Sequence, residues 1–177
     1  YRFSLTINQV IDEKVKIGQE LDDSKIKYFE KISAEGKQKI KALEWLMIRP
    51  HSEKEFKEYL YRKKIDTSAG KSWQVDFIKH GYLNNENFAK WWVDNRKRKN
   101  KSTRFIKSEL MQKGISAEII NNLLADHEIT DDEALKKLII TKQRQARYAD
   151  QIKLTSYLVG KGFSYSRVKA LLAGDND

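Results

Sequence analysis

The period of the apolar positions changes early in the chain. Phe3, Leu5 and Ile7 share one parity, and Val15 and Ile17 repeat it after "NQVIDEK". Alternation of this kind predicts two short, half-buried strands in a hairpin that ends at Gly18. From Leu21 the spacing becomes helical. It predicts helices near 24–33, 37–48, 53–64, 72–80, 85–98, 103–113, 117–125, 131–147, 150–161 and 165–173. Punctuation fits these bounds. Pro50 breaks the helix that carries Ala42, Leu43, Leu46 and Met47 on one side. "SEKE" from Ser52 reads as a capping box, in which the Ser52 hydroxyl accepts from the backbone of Glu55 and the Glu55 carboxylate reaches back. Ser72, Asn84, Ser102, Ser116, Thr130 and Ser164 are further N-caps. Gly81, Gly114 and Gly162 fall where a residue of positive φ closes a helix.

After the first helix the elements fall into three triplets, and the chain repeats. "LMQKGISAEIINNLLA" (110–125) lies over "LVGKGFSYSRVKALLA" (158–173) at an ungapped offset of 48. Upstream, Ala89, Trp92, Val93 and Arg96 face Leu135, Leu138, Ile139 and Lys142 at an offset of 46. The first triplet matches more loosely: Leu60, Lys63 and Ile65 lie over Leu110, Lys113 and Ile115 at an offset of 50. The expected fold is therefore dominated by α-helix. Three tandem three-helix repeats (36–82, 83–127 and 128–177) follow an N-terminal hairpin and helix (1–35). Such a row is expected to be elongated, with each unit leaning on its neighbour.

Charge sharpens this picture. The 177 residues carry a net charge of +10, with 40% hydrophobic content, enough for a sizeable core, and no cysteine. A disulfide framework, thiolate metal sites and a cysteine nucleophile are thereby excluded, and a reducing, cytoplasmic setting is expected. No apolar run approaches the ~20 residues that span a bilayer. The surplus is local: residues 1–40 are net +1, 41–115 net +9 and 116–177 net zero. Arg96, Lys97, Arg98, Lys99, Lys101, Arg104 and Lys107 form a run with no acid among them. A run this dense reads as a polyanion contact, with a solvated helix face as the plain alternative.

Candidate chemistry is sparse. His51, His80 and His127 show no metal-ligand spacing, and His80 and His127 hold equivalent repeat positions, where they read as helix-end caps. "GKGF" (160–163) lacks the remainder of a phosphate loop, and its partner "QKGI" marks the glycine as a helix stop. "TDDE" (130–133) gathers three carboxylates, as a Mg²⁺ nuclease would, but also suits a helix start with Glu133 completing a box with Thr130. "LDDS" (21–24) reads in the same way. The chain is expected to be no enzyme and to use no metal or cofactor. Phe88, Ala89 and Trp92 share a helix face, which places Trp92 in a core. Trp91, turned by about 100°, packs against a neighbouring helix or stacks on a base. Trp45 and Trp73 read as core residues of the first unit.

The order of motifs resembles the RecX regulatory proteins over residues 40–173. Arg49, Ser52, Glu55 and Leu60 fill one frame, and Gly81, Leu83, Asn84, Asn85, Phe88 and Ala89 a second. Lys161, Gly162 and Phe163 fill a third. The N-terminal portion also resembles that of longer family members. Two departures are "NKST" (100–103), where a basic residue, glycine and proline are usual, and Asn84 in place of an acid. The resemblance implies tandem three-helix repeats without catalytic residues, acting on RecA and RecA–single-stranded DNA filaments to inhibit ATPase, strand exchange and coprotease activity. A monomer is expected, and the central run, extended by Arg62, Lys63, Arg144 and Arg147, is expected to form one patch that meets DNA phosphates or an acidic RecA surface. Two other classes compete. A helix-turn-helix DNA-binding protein acting without RecA predicts duplex preference, and a nuclease using "TDDE" predicts Mg²⁺-dependent cleavage.

Overall fold

The computed structural model describes residues 2–125 and 131–174, and among them every regular element is helical. In chain order these are α1 (Ile7–Asp12), α2 (Asp23–Ile48), α3 (Glu53–Arg62), α4 (Thr67–Lys79), α5 (Asn85–Arg98), α6 (Thr103–Gln112), α7 (Ala117–Ala125), α8 (Asp131–Gln143), α9 (Gln151–Gly160) and α10 (Tyr165–Gly174). A 3₁₀ turn (Ala146–Tyr148) separates α8 from α9.

The expected hairpin does not form. "TINQ" is itself a capping box: Thr6 Oγ1 accepts from Gln9 N (3.3 Å), and Thr6 N donates to Gln9 Oε1 (2.8 Å). That box starts α1 where the second half of a strand was expected. Ile7 and Ile17, which the alternation assigned to a buried face, are exposed. The segment before α1 is held by α2 instead, with Phe3 against Phe29 (5.4 Å between centroids) and Ser4 N donating to Ser33 Oγ (3.0 Å).

Three helix bounds also differ. The helices expected at 24–33 and 37–48 are one 26-residue helix that runs through Gly36. A single interior glycine costs about 1 kcal/mol, too little to break a helix packed at both ends. The helix expected from Ser72 begins at Thr67, because Asp66 caps it by accepting from Ser68 N (2.9 Å) and Ala69 N (3.1 Å). The helix expected over 131–147 ends at Gln143.

Apolar residues collect in three clusters. The first joins α2, α3 and α4 through Ala42, Leu46, Phe56, Leu60, Trp73 and Phe77. The second joins α5, α6 and α7 through Phe88, Val93, Ile106, Leu110 and Ile120. The third joins α8, α9 and α10 through Leu135, Ile139, Leu154, Leu158, Val168 and Leu172. Each cluster is closed by an apolar residue just past the expected glycine stop or its equivalent: Ile65 packed on the first, Ile115 in the second and Phe163 in the third. Helical repetition in the sequence thus appears in space as helical triplets with separate cores.

Candidate partner interface

The basic run occupies the end of α5, a tight turn and the start of α6. Asn84 Oδ1 caps α5 by accepting from Glu86 N (2.8 Å) and Asn87 N (3.0 Å). Arg96, Lys97 and Arg98 fill its last turn, where cations meet the negative end of the helix dipole. Asn100 then takes a left-handed conformation (φ 51°), which asparagine tolerates better than most residues. Ser102, fully buried, caps α6 by accepting from Phe105 N (3.2 Å).

The seven cations are not equivalent. Arg96 is committed to structure: its Nε donates to Glu109 Oε2 at 2.5 Å, and its guanidinium lies 4.1 Å from the Trp92 ring. Trp92 Nε1 donates to the same carboxylate (3.0 Å), so Trp92 packs against the second cluster, as expected, while its polar tip stays bonded at the half-buried edge. Lys101 Nζ donates to Gly160 O (3.2 Å) and lies over the Phe105 ring at 3.7 Å. Burial, then repulsion from Lys161, holds its ammonium below the usual lysine range. Lys107 Nζ donates to Asn121 Oδ1 (3.1 Å). Lys97 is half-buried, and that burial lowers its pKa against the opposing pull of Asp94 and Asp131. Arg98, Lys99 and Arg104 remain exposed, and their side chains make no hydrogen bond or ion pair among the described residues.

The outlying cations are also exposed. Arg62 Nε donates to Glu58 O (3.4 Å), Lys63 lies 6.0 Å from the Tyr59 ring and Arg147 lies 5.6 Å from the Tyr148 ring. Neither these nor Arg144 share a hydrogen bond or ion pair with the central run among the described residues. Trp91 packs against Phe88 (6.1 Å) and beneath Arg49 (5.1 Å), which favours packing over base stacking for that ring.

Sequence reading named several of the residues that shape the surface, but not the joints they make. Lys161 reaches back from the third triplet: its Nζ donates to Lys99 O (3.0 Å), and its carbonyl accepts from Ser102 N (3.1 Å). Gly162 seats on the same place. A Cβ there would lie 2.5 Å from both Phe105 Cβ and Ser102 Oγ. The corresponding joint between the first and second triplets uses Gly114 against Lys54 (3.1 Å to its Cβ) and Lys54 Nζ donating to Gln112 O (2.8 Å). At its centre lies Glu55, 7% exposed, whose carboxylate accepts from Arg49 (3.0 Å) and Lys113 (2.7 Å). Burial alone would raise its pKa, but those two cations bring it down to about 2. Glu55 therefore does not complete the capping box with Ser52 N, although Ser52 Oγ accepts from Glu55 N as expected (3.1 Å). His51 is buried beside it, its Nδ1 3.3 Å from Glu55 and its ring 3.5 Å from that of Trp45. Burial and then Arg49 lower its pKa, against the opposing pull of Glu55.

The carboxylates of "TDDE" separate. Asp131 Oδ1 accepts from Thr103 N (2.8 Å) and Thr103 Oγ1 (2.7 Å), while Asp132 pairs with Arg167. Thr130 and His127 lie outside the described residues. His80 Nδ1 donates to Asp76 O (2.8 Å), the helix-end contact expected of it. Among the described residues, no group of three His, Cys, Asp or Glu side chains is placed to hold a metal ion, and no helix is long and apolar enough to cross a membrane.

Comparison with known proteins gives one consistent answer. Residues 84–124, which contain the basic run, match the model of the family described as RecX, second three-helix domain. A regulatory protein RecX of Streptococcus uberis is 26% identical over 171 residues, covering 94% of this chain and 66% of that protein. One from Lactobacillus gasseri is 31% identical over 134 residues, covering 75% of this chain and 49% of that protein. The chain thus spans about half to two thirds of these relatives. Among solved structures, a crystal structure of regulatory protein RecX aligns with a TM-score of 0.66 at 20% identity, covering 91% of this chain and 84% of that one. RecX from Lactobacillus salivarius aligns at 0.59 and 22% identity, covering 79% and 95%. At these identities the two structures establish a shared fold.

Proposed function

The chain belongs to the RecX family, and from that premise we propose that it regulates homologous recombination and DNA repair by binding RecA and RecA–single-stranded DNA filaments. Binding inhibits RecA's ATPase, strand exchange and coprotease activities, and the chain acts in the cytoplasm without catalysis or cofactor of its own. The observation that carries this reading is the coincidence of the matched domain, residues 84–124, with the locally cationic turn between α5 and α6. Three repeat units, 36–82, 83–127 and 128–177, form the scaffold that presents it.

Within the run the contact falls to Arg98, Lys99 and Arg104, which are exposed and uncommitted, with Lys97 at their side. Arg96, Lys101 and Lys107 are instead engaged with Glu109, Gly160 and Asn121. The test is ATP hydrolysis by RecA on single-stranded DNA, with the native chain and with Arg98→Glu/Lys99→Glu/Arg104→Glu. The native chain should inhibit, and the variant should lose most of that inhibition while remaining folded by circular dichroism. Equal inhibition by both would move the contact off this turn. A folded native chain that fails to inhibit, and instead prefers a duplex sequence, would favour a DNA-binding protein acting without RecA.

A further inference from the structure

A second cationic feature lies where the first and second triplets meet, and it adjoins the basic run through Trp92, whose ring lies under both Lys113 (5.2 Å) and Arg96 (4.1 Å). It is a cleft of about 630 Å³. Its inner wall holds Glu55, but Arg49 and Lys113 both bind that carboxylate, so the wall is net positive. Both cations are partly exposed, at 32% and 34%, and keep donors without a hydrogen bond: Arg49 engages only Nη1 and Lys113 makes one hydrogen bond, while the two lie over the Trp91 and Trp92 rings. Lys57 and Arg62 add two exposed cations, opposed by Glu58 alone. Four cations therefore face two carboxylates, a bias toward an anion.

Two aromatic rings share the cleft, and they differ in availability. Trp45 is stacked on Tyr59 (4.5 Å, 21° between planes) and packs at a tilt against His51 (3.5 Å), so its ring is engaged within the protein. Tyr61 is 86% exposed and makes no ring contact among the described residues. It stands in the last turn of α3, a rigid position, with an open π-face beside cations. A carboxylate side chain would satisfy the cations but leave that ring and most of the volume unused. A phosphate attached to a planar base uses both, since bases stack on aromatic faces without regard to sequence.

We propose that this cleft is a nucleotide-binding subsite. Arg49, Lys113 and Lys57 receive the phosphate, and Tyr61 stacks on the base. The ligand is one nucleotide of a single strand or a free nucleotide, and the proposal stands apart from the reading of the α5–α6 turn. The experiment is anisotropy of labelled oligo(dT) with the full chain and no RecA, repeated with an abasic oligomer of equal length and with ADP and pyrophosphate as competitors. Tyr61→Ala should weaken oligo(dT) binding roughly tenfold and leave the abasic oligomer unchanged, and Tyr61→Phe should restore it. Lys57→Glu should weaken both oligomers. Displacement by ADP but not by pyrophosphate assigns the site to free nucleotides; resistance to ADP assigns it to nucleotides within a strand. Equal binding by Tyr61→Ala and native chain, or equal loss for both oligomers, overturns the proposal. So does displacement of oligo(dT) by a polyglutamate peptide that is indifferent to Tyr61. Because RecA is absent, such a failure leaves the reading of RecA inhibition untouched.

Discussion

The joint between the first two triplets and the joint between the last two share one backbone plan and differ in chemistry. In each, a fully buried serine caps the second helix of the earlier triplet: Ser52 in one, Ser102 in the other. In each, the next residue bonds to the first residue of the following triplet's first helix, α5 or α8. Glu53 and Asn85 exchange two hydrogen bonds (3.0 and 2.8 Å), and Thr103 bonds to Asp131. In each, a lysine of the earlier triplet donates to a carbonyl beside a glycine turn of the later one. The difference lies at one position. The repeat offset of 50 places Phe105 where the first joint has Glu55. With a carboxylate there, Lys113 makes an ion pair; with a phenyl ring there, the equivalent Lys161 turns to the backbone carbonyl of Lys99. One geometry is thus maintained by buried charge in one place and by close steric fit in the other.

The largest effect should break the sterically fitted joint. Gly162→Ala forces a methyl group to within 2.5 Å of Phe105 and Ser102 at a backbone φ of +100°, and should cost more than ~3 kcal/mol in urea denaturation. Gly114→Ala meets the Lys54 side chain at 3.1 Å and φ +79°, and should cost about half as much. Equal costs would show that the two joints are packed alike.

Next comes the charged joint. Glu55→Ala strands two cations and should destabilise by roughly 2 kcal/mol, below a fully buried pair because Arg49 and Lys113 are about one third exposed. Its pH dependence has a definite sign. Glu55 titrates near 2 in the folded chain against an ordinary 4.5, so its stabilisation is complete above 4.5 and is lost as pH falls toward 2. Thermal unfolding followed across that window should show a decline that Glu55→Gln flattens. The smallest effect sharpens the shared plan: Lys54→Met and Lys101→Met each remove one exposed hydrogen bond and should each cost under ~1 kcal/mol.

Much of this was legible in the sequence, and the failures have physical causes. The caps at Ser52, Asn84, Ser102, Ser116 and Ser164 and the glycine turns were readable, because capping and positive φ depend on near neighbours. The hairpin was misread because three alternating apolar residues weigh little against a four-residue capping box that begins among them. The run of seven cations was readable as a run, but not its division into free and engaged members. Arg96 meets a carboxylate 13 residues away on the next helix, and Lys101 meets a carbonyl 59 residues away. The glycines were recognised as helix stops; their second role, admitting the neighbouring triplet, depends on residues some sixty positions distant.

The clamp that Lys161 places on the turn after α5 has a consequence for recognition. Long basic loops usually must be ordered by what they bind, and the entropy lost then opposes association. Here the turn is fixed beforehand, with the carbonyl of Lys99 and the amide of Ser102 both fastened to a residue of the third triplet. In the proposed contact the cations would therefore approach already spaced and aimed, with only their side-chain ends to be immobilised. The third triplet in this way shapes the surface through which the second is proposed to make its contact. Loosening that distant clamp should slow productive encounters without removing a single positive charge.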